Sequence, residues 1–341
     1  MHTVALPGGT IQLAGICAPG TITGYVSAAH LWLEYVTGLT IPIHKPGTTN
    51  HIGAIGDIIA LRRTWYQPRP KRQPIPYDIF RTLRDDAVAT DRNGLPAVVF
   101  DWLRLGIFTG SRAAEYAQTS ARRGCFDRVP DLPDAKEWAG TSLAFIAEDF
   151  ELYDDLGFEV SHSEARACPS RVTFLHVRYR YDKSPRNFSH RKYKRVAEAG
   201  FLCPIRGALS ILRRSHDLCV PAEFPIGVFS PVRVPGRRRI KTAPGQVFTF
   251  LKSADLISVL QQACLVTYPD PRHELHKKVK QLVAHSNRVT AAVALHNAGQ
   301  TDEAIAWRLR WKRESVEHYI RETHTRVGAM TDLAVKGAFV M

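Results

Sequence analysis

Residues 285–319 read HSNRVTAAVALHNAGQTDEAIAWRLRWKRESVEHY, and this stretch decides the fold. His285 and Arg288 stand three positions apart, so on a helix both side chains lie on one face. A glycine-containing turn and a second apolar-periodic run follow, and Trp311 and then Tyr319 come after them. The stretch therefore predicts a compact helical unit with a cation pair that can hold a phosphate and a hydroxyl that can attack it.

The composition of the chain favours a soluble globular protein that binds a polyanion. Its 341 residues are enough for two domains, or for one large domain with a small appended one, and 45% of them are hydrophobic. The formal net charge is +14, and no lysine-rich amphipathic helix indicates a membrane surface. Nucleic acid is therefore the first expected partner. A basic protein that is merely kept soluble by its charge is the alternative.

The cysteines indicate reduced thiols and not a zinc site. No Cys-x-x-Cys pair occurs, and no cysteine stands at zinc-finger spacing from a histidine pair, so we expect no structural metal. No apolar run reaches membrane-spanning length, and no signal-peptide pattern begins the chain. We expect an intracellular protein without membrane contact, in the nucleus if the source is eukaryotic and otherwise in the cytoplasm. The six cysteines are Cys17, Cys125, Cys168, Cys203, Cys219 and Cys264.

A proline-rich segment, QPRPKRQPIP at 67–76, predicts the domain boundary. Its four prolines favour extended backbone. Its three cations, Arg69, Lys71 and Arg72, either follow a phosphate backbone or simply solvate a linker. We therefore expect a short helical N-terminal domain at 1–70 and a larger domain at 71–341. Within the first domain, residues 1–20 should be irregular, and helical patterns cover 21–38 and 52–66.

The second domain combines helices with a small inserted antiparallel sheet, so the predicted fold class is mainly α (α+β). A strand at 171–181 alternates apolar residues with His176, Arg178 and Arg180, which suits a half-exposed strand beside an anionic partner. Residues 221–245 should form an exposed basic loop that contains Arg237, Arg238, Arg239 and Lys241. Helices are expected at 77–89, 96–107, 204–214 and 252–265, and further strands at 142–146, 150–153 and 191–196.

Four residues form the minimum set for attack of a tyrosine on a phosphodiester: Arg112, His285, Arg288 and Tyr319. Guanidinium groups hold the non-bridging oxygens and stabilise the charge of the transition state, so no metal or other cofactor is required. Tyrosine has a pKa of about 10 and needs nearby cations or a base to lose its proton. His285 can supply that base or hold a phosphate oxygen. Lys183, at a turn, can protonate the leaving hydroxyl.

These residues resemble the tyrosine recombinases of the phage-integrase family, and the match extends over residues 77–323. TGSRAAEYAQ resembles the family's first-arginine box, with Arg112 as the arginine and Glu115 as the acidic residue three positions further on. YDKSP resembles the hairpin turn that bears Lys183, and HSNR matches the His-x-x-Arg box. RLRW and HYIR supply Trp311 and the nucleophile Tyr319. FTGSR and RLRW are also similar to the recombinases of eukaryotic Crypton-like mobile elements.

The resemblance implies a recombinase catalytic fold preceded by a small helical core-binding domain. It implies an enzyme that cleaves and rejoins double-stranded DNA through a 3′-phosphotyrosine intermediate, as a homo-tetramer on two DNA sites. Trp311 would then pack beside the phosphate pocket. One departure is the interval from Trp311 to Tyr319, which is eight residues and one shorter than in many members. Other cations of the same hairpin could replace Lys183, namely Arg178, Arg180, Arg186, Arg191, Lys192 and Lys194.

Two other functions fit part of the sequence. The helix, Ala298-Gly299 turn and helix within 285–310 also match a helix-turn-helix, which would make a DNA-binding regulator, in its realistic form a domesticated and inactive recombinase. That interpretation leaves Arg112, Lys183 and Tyr319 unexplained. A type IB topoisomerase would share the chemistry but would relax supercoils without exchanging strands.

Overall fold

The proline-rich segment contains the boundary between two units of the structure, residues 1–70 and residues 71–341. The structure, a computed structural model, describes part of each unit. In unit 1 the described residues are 2–6, 9–13, 19–39, 42–43, 56–57 and 59. In unit 2 they are 72–117, 144–179, 189–196, 200–222, 224–231, 239–242 and 245–320.

Unit 1 begins with a β-hairpin, which corrects the expectation of an irregular start. Strands β1 (His2–Leu6) and β2 (Gly9–Leu13) pair antiparallel, with Leu6 opposite Gly9. Both strands alternate apolar with other residues, and this pattern was masked by the intervening proline and glycine. Helix α1 (Pro19–Thr37) follows as expected. Most of the predicted helix at 52–66 lies outside the described residues.

The helices of unit 2 surround one long buried helix, α3. It spans Leu95–Thr109, begins with proline in its first turn and ends at Gly110 in the left-handed conformation. Eleven of its residues are buried, which explains why its sequence is apolar on nearly every side. The other helices are α2 (Tyr77–Ala89), α4 (Ala113–Tyr116), α5 (His162–Ala167), α6 (Pro204–Asp217), α7 (Ser253–Thr267), α8 (Glu274–Lys277), α9 (Ser286–Asn297), α10 (Asp302–Leu309) and α11 (Arg313–Ile320).

A three-stranded antiparallel sheet is inserted among these helices, which confirms the mainly α class with a small sheet. Its strands are β3 (Phe150–Tyr153), β4 (Phe174–Tyr179) and β5 (Ser189–Lys194), in the order β3-β4-β5. Along β4, Leu175, Val177 and Tyr179 are buried while the residues between them are half-buried, as the alternation predicts. The expected strand at 142–146 is not formed over 144–146, the part of it that the structure describes.

A second small sheet occupies part of the region expected to be a basic loop. Strands β6 (Val228–Phe229), β7 (Ile240–Lys241) and β8 (Val247–Phe250) pair antiparallel in the order β6-β8-β7. Two-residue strands carry no period that a sequence pattern can show, so the loop prediction was wrong there. Phe248 and Phe250 pack with Val228 in a small separate core.

The main core of unit 2 lies between α3 and the elements on either side of it. Trp102 of α3 stacks on Tyr116, with ring centroids 5.0 Å apart, and also contacts Phe145 and Phe150. This core therefore joins α3 to α4 and to the edge of the first sheet. Within the described residues, no helix is long and apolar enough to cross a membrane.

Gly110 has a left-handed backbone and also lies close to Leu309, and its substitution tests this packing. Its φ is +58°, and a Cβ built there would lie 2.7 Å from Cδ2 of Leu309. We expect Gly110→Ala to lower the free energy of unfolding by about 3 kcal/mol, through left-handed strain and overpacking together. Urea unfolding measures it. The control is Gly157→Ala, because Gly157 has φ +86° but no atom within 4 Å of the added Cβ. Equal losses in both variants would contradict the close approach.

Candidate active site

Three helices near the end of the described chain form a unit with its own core. Helices α9, α10 and α11 enclose Ala291, Ile305, Leu309, Val316 and Ile320, all fully buried. Gly299, at φ +80°, makes the turn that ends α9. The Thr301 hydroxyl then accepts a hydrogen bond from the Ala304 N–H (3.2 Å) and starts α10. The apolar periodicity of 285–319 thus produces the predicted helical unit.

The Gly110 turn brings the first arginine segment to this unit. Left-handed backbone at Gly110 ends α3, and its carbonyl accepts a hydrogen bond from Nη1 of Arg288 in α9. The chain then restarts as α4, whose N-cap is Arg112. A cap residue that is an arginine cannot accept a backbone N–H, and here the carboxylate of Glu115 accepts the Arg112 N–H instead, at 2.9 Å. The hydrogen bond from Arg288 to Gly110 thus joins α9 to the segment that bears Arg112, although the two are far apart in the sequence.

Glu115 is a buried carboxylate that holds two arginines. Its Oε1 accepts from Nη1 of Arg112 at 3.1 Å, and its two oxygens accept from Nη2 of Arg310 at 3.1 and 2.8 Å. Burial alone would raise the pKa of Glu115. The positive charges of Arg310, Arg112 and Arg288 outweigh burial and lower the pKa below its ordinary value of 4.5. Glu115 is therefore ionised at neutral pH.

Arg310 is the part of the site that the sequence did not reveal. It is 3% exposed and adopts the left-handed conformation (φ 58°) that ends α10. Its guanidinium lies over the ring of Tyr179 in β4, 3.4 Å from the ring centroid. It thereby connects the helical unit, α4 and the sheet. The only signal was its place in RLRW, directly before Trp311.

Arg288 and Trp311 pack against each other beneath the site. Both are buried, and the Arg288 guanidinium lies 4.7 Å from the centroid of the Trp311 rings. The stacked indole orients the guanidinium from one side, and the carbonyl of Gly110 fixes it from another. An arginine oriented in this way is prepared for paired hydrogen bonds to an oxyanion.

His285 stands at the N-cap of α9, half-buried among cations. Burial and the positive charges of Arg72, Arg288 and Arg112 lower its pKa to about 3. The imidazole is therefore neutral at pH 7 and can accept a proton or a hydrogen bond. Arg72, which the sequence assigned to the linker, is exposed and contributes to this field from outside the helical unit.

The arrangement brings together Arg112, Arg288, His285 and Glu115, together with Trp311 as the stacking partner of Arg288. Two guanidinium groups, a neutral imidazole and a buried orienting carboxylate can hold a phosphate and move a proton near it. Helix α11 carries Tyr319, whose side chain lies outside the described part of the structure. Lys183 also lies outside the described residues.

Among the hairpin cations that could replace Lys183, some form contacts with other residues and others are exposed. Arg178 of β4 forms ion pairs with Asp149 (3.4 Å) and Glu148 (3.9 Å), which lie in the turn directly before β3. Arg191 stacks on Trp307 of α10 at 4.6 Å and donates to its carbonyl. Both therefore have structural contacts that compete with a catalytic role. Lys192 and Lys194 are exposed on β5, and Arg180 and Arg186 lie outside the described residues.

The described residues do not contradict the DNA-binding role that the sequence predicts for the remaining cations. Arg239 and Lys241 are exposed, with Lys241 in the short strand β7. Arg69, Lys71, Arg237 and Arg238 lie outside the described residues. Their role in binding DNA stays a prediction.

No protein-family model and no curated protein matches the chain. The family resemblance of the motifs therefore stays a prediction. The grouping of the site residues depends on the contacts described above.

Replacing Glu115 tests whether its charge holds the site together. We expect Glu115→Gln to lower the free energy of unfolding at pH 7 by about 3 kcal/mol, because the paired buried guanidiniums lose their counter-ion. The folded-state pKa is lowered, so this contribution is present above pH ~4.5 and is lost as the pH falls through the folded-state pKa. The difference between the two proteins should therefore shrink in acid, which urea unfolding at several pH values measures.

The control for this variant is Glu303→Gln, which removes an exposed partner of Arg313 (3.0 Å). An exposed ion pair contributes about 0–1 kcal/mol, so this variant should unfold almost like the unmodified protein. A Glu115→Gln variant as stable as the control would show that the carboxylate does not organise the arginines.

Replacing His285 tests its neutral state. Its folded-state pKa of about 3 lies below the ordinary 6.5, so the unfolded chain takes up the proton first as the pH falls. The contribution of neutral His285 to the free energy of unfolding is therefore fully present above pH ~6.5, and it is lost as the pH falls toward ~3. We expect the unmodified protein to lose about 1 kcal/mol relative to His285→Asn between pH 7.5 and pH 5.0, after solvent screening is allowed for. Urea titrations at both pH values measure this, with exposed His273→Asn as control. Parallel pH dependence in all three proteins would contradict it.

Proposed function

We propose that the protein is a DNA strand-exchange enzyme that uses Tyr319 as its nucleophile, a tyrosine recombinase in mechanism. The observation that supports the proposal is the convergence of Arg112, Arg288 and His285. Arg288 donates to the carbonyl of Gly110, two residues before Arg112, and His285 begins the helix that bears Arg288. These residues come from segments that are distant in the sequence. If these residues only stabilised the fold, they would not need to be the residue types that attack of a tyrosine on a phosphodiester requires.

The two arginines would bind the scissile phosphate. Arg288 is buried and held by Trp311 and the Gly110 carbonyl, while Arg112 is a quarter exposed and can reach solvent. Oriented donors of this kind stabilise the extra negative charge of a pentacoordinate phosphorus, and losing one typically costs about 100- to 1,000-fold in rate. Glu115 would act through Arg112, whose guanidinium it holds, and Arg310 would act through Glu115.

His285 would respond to the substrate. In the free protein its pKa is near 3 because burial and three guanidinium groups disfavour a further positive charge. A bound phosphodiester brings a negative charge into the same field and so raises the pKa of the imidazole. His285 would therefore become a better proton acceptor when DNA is in place.

The reaction exchanges one phosphoester for another. The Tyr319 oxygen bonds to phosphorus and loses its proton to His285, while the bond from phosphorus to the 5′ oxygen breaks. Lys183, or another cation of the same hairpin, gives a proton to that oxygen. The 5′ hydroxyl of a partner strand then reverses the steps and releases the tyrosine. The number of phosphoester bonds is unchanged, so no external energy source is required.

Double-stranded DNA is accordingly the proposed partner, and a tetramer on two DNA sites is the proposed assembly. The net charge of +14 supports a polyanionic partner. In a eukaryotic cell the proposed place of action is the nucleus.

A DNA-binding regulator is the second candidate, because α9, α10 and α11 form a compact unit with a turn between the first two helices. In such a protein one helix must enter the major groove. Here α10 is attached to β5, since Arg191 donates to the Trp307 carbonyl (3.0 Å) and Arg308 donates to the Lys192 carbonyl (2.9 Å). These contacts favour a helix that supports the site over a free recognition helix.

Covalent trapping tests the enzyme. Duplexes of randomised sequence, each with a nick that releases a short 5′-hydroxyl fragment after cleavage, would be incubated with the protein and denatured in detergent. We expect DNA joined to the protein through its 3′ phosphate, and we expect none with Tyr319→Phe, which lacks the nucleophilic oxygen. Exposed Tyr77→Phe is the matched control and should retain the adduct. Arg288→Gln should lower the yield by about 100-fold or more.

The other outcomes identify the alternatives. Adducts that persist in Tyr319→Phe would place the nucleophile elsewhere. Specific DNA binding without any adduct in the unmodified protein would favour the regulator. Relaxation of a supercoiled plasmid without exchange of strands between duplexes would identify a topoisomerase.

A further inference from the structure

A cavity of about 260 Å³ lies among α2, α3, α6 and the turn at 91–94, and it shares no residue with the candidate active site. Ala97, Phe100 and Val88 supply apolar wall. Most of the remaining lining is cationic or hydrogen-bonding. Its polar residues, apart from two aspartates, are Arg92, Asn93, Arg104, Ser210, Arg213 and Arg214.

Two buried arginines of this lining share one carboxylate. Asp101 accepts from Nη2 of Arg104 at 2.6 Å and, through its other oxygen, from Nη2 of Arg214. All three residues are at least nine-tenths buried. Nε of Arg214 donates to the carbonyl of Arg92 (3.1 Å), and Nη2 of Arg104 also donates to Ser210 Oγ (3.1 Å). The guanidinium groups are thus fixed in place by the protein itself.

The hydrogen bonds leave donors of both guanidinium groups unused. Nη1 of Arg214 and Nε of Arg104 are buried and have no acceptor among the described residues. Burial also lowers the pKa of Arg104, and the negative charge of Asp101 opposes this effect. A buried donor without an acceptor is costly, and one carboxylate cannot neutralise two buried guanidinium groups. The group formed by Arg104, Arg214 and Asp101 therefore keeps an excess positive charge beside the cavity.

The lining as a whole carries a net positive charge. Its four arginines face two aspartates, Asp101 and Asp217, of which Asp217 pairs with Arg92 at 3.0 Å. Arg213 is exposed beside the buried pair. Positive charge thus extends from the buried guanidinium groups to the surface.

We propose that this cavity binds a small tetrahedral oxyanion, a phosphate or phosphate monoester. Several arginine side chains, two of them fixed by Asp101, line the cavity, and guanidinium groups suit the oxygens of such a group better than a halide. The cavity is slightly smaller than the roughly 300–1,000 Å³ of most sites for drug-sized ligands, which favours a compact ligand. The same phosphate chemistry has two sources, a free small molecule or the backbone of bound DNA.

Inorganic phosphate is the probe for the experiment. Thermal unfolding and titration calorimetry would be run with phosphate and with chloride at equal ionic strength. We expect phosphate to raise the melting temperature more than chloride does. Arg213→Ala, an exposed position that the fold tolerates, should weaken phosphate binding by about tenfold, the loss of one charge-assisted contact. Arg214→Lys, which keeps the charge but removes the fork, should weaken it further.

Two controls separate this cavity from other cationic surfaces. Arg81→Ala removes an exposed arginine of α2 that does not line the cavity and should bind phosphate like the unmodified protein. Arg112→Gln removes a cation of the candidate active site and should leave the phosphate binding that calorimetry measures in the cavity unchanged. Phosphate binding that is lost in Arg112→Gln but kept in Arg213→Ala would overturn the proposal, as would equal effects of phosphate and chloride.

Competition distinguishes the two sources of phosphate. If short duplex DNA of random sequence displaces bound phosphate from the Arg112→Gln variant, and Arg213→Ala removes that competition, the ligand is a backbone phosphate. If duplex DNA has no effect on phosphate binding, the ligand is a free phosphate. The outcome of the trapping experiment with Tyr319 does not affect either result.

Discussion

The ion pairs of Glu115 are the interaction on which the rest of the site depends. One buried carboxylate accepts the backbone N–H of Arg112, the side chain of Arg112 and the side chain of Arg310. It therefore starts the four-residue helix α4 and fixes the end of α10 with the same group. Without the carboxylate, the guanidinium groups of Arg112 and Arg310 would lose the negative charge that they share. Its charge links the N-terminal half of unit 2 to the final helices.

Close backbone approach provides the second constraint. A Cβ at Gly106 would lie 1.9 Å from Nδ2 of Asn287, and one at Gly227 would lie 1.9 Å from the carbonyl oxygen of Tyr116. The first contact presses α3 against α9, and the second presses the loop before β6 against α4. Each of the segments that bear Arg112 and Arg288 is thus fixed by one close contact with a glycine. Positions of this kind allow a glycine only, because their neighbours are backbone or a buried side chain.

The sequence revealed the elements of the site better than the connections between them. Periodicity identified the alternating strand β4, since it buries one regular face, and the sequence also predicted the helix α9. Arg310 was missed because left-handed backbone at a non-glycine residue leaves no pattern, and its partner Glu115 is distant in sequence. The second sheet was missed because each pair of its strands is joined over only two residues. Short-range patterns predict short-range structure, whereas these features come from long-range pairing.

The electrostatics of the site suggest why a cluster of cations should be stable before any substrate arrives. Glu115 compensates Arg112 and Arg310 from the buried side, and Trp311 offers Arg288 a polarizable face in place of water. His285 remains neutral at pH 7 because its pKa is lowered, so it adds no further charge to this field. An anion that binds there enters a site whose donors are already oriented, and little reorganisation is needed. The same negative charge raises the pKa of the imidazole, so binding of a phosphate and readiness for proton transfer are physically coupled.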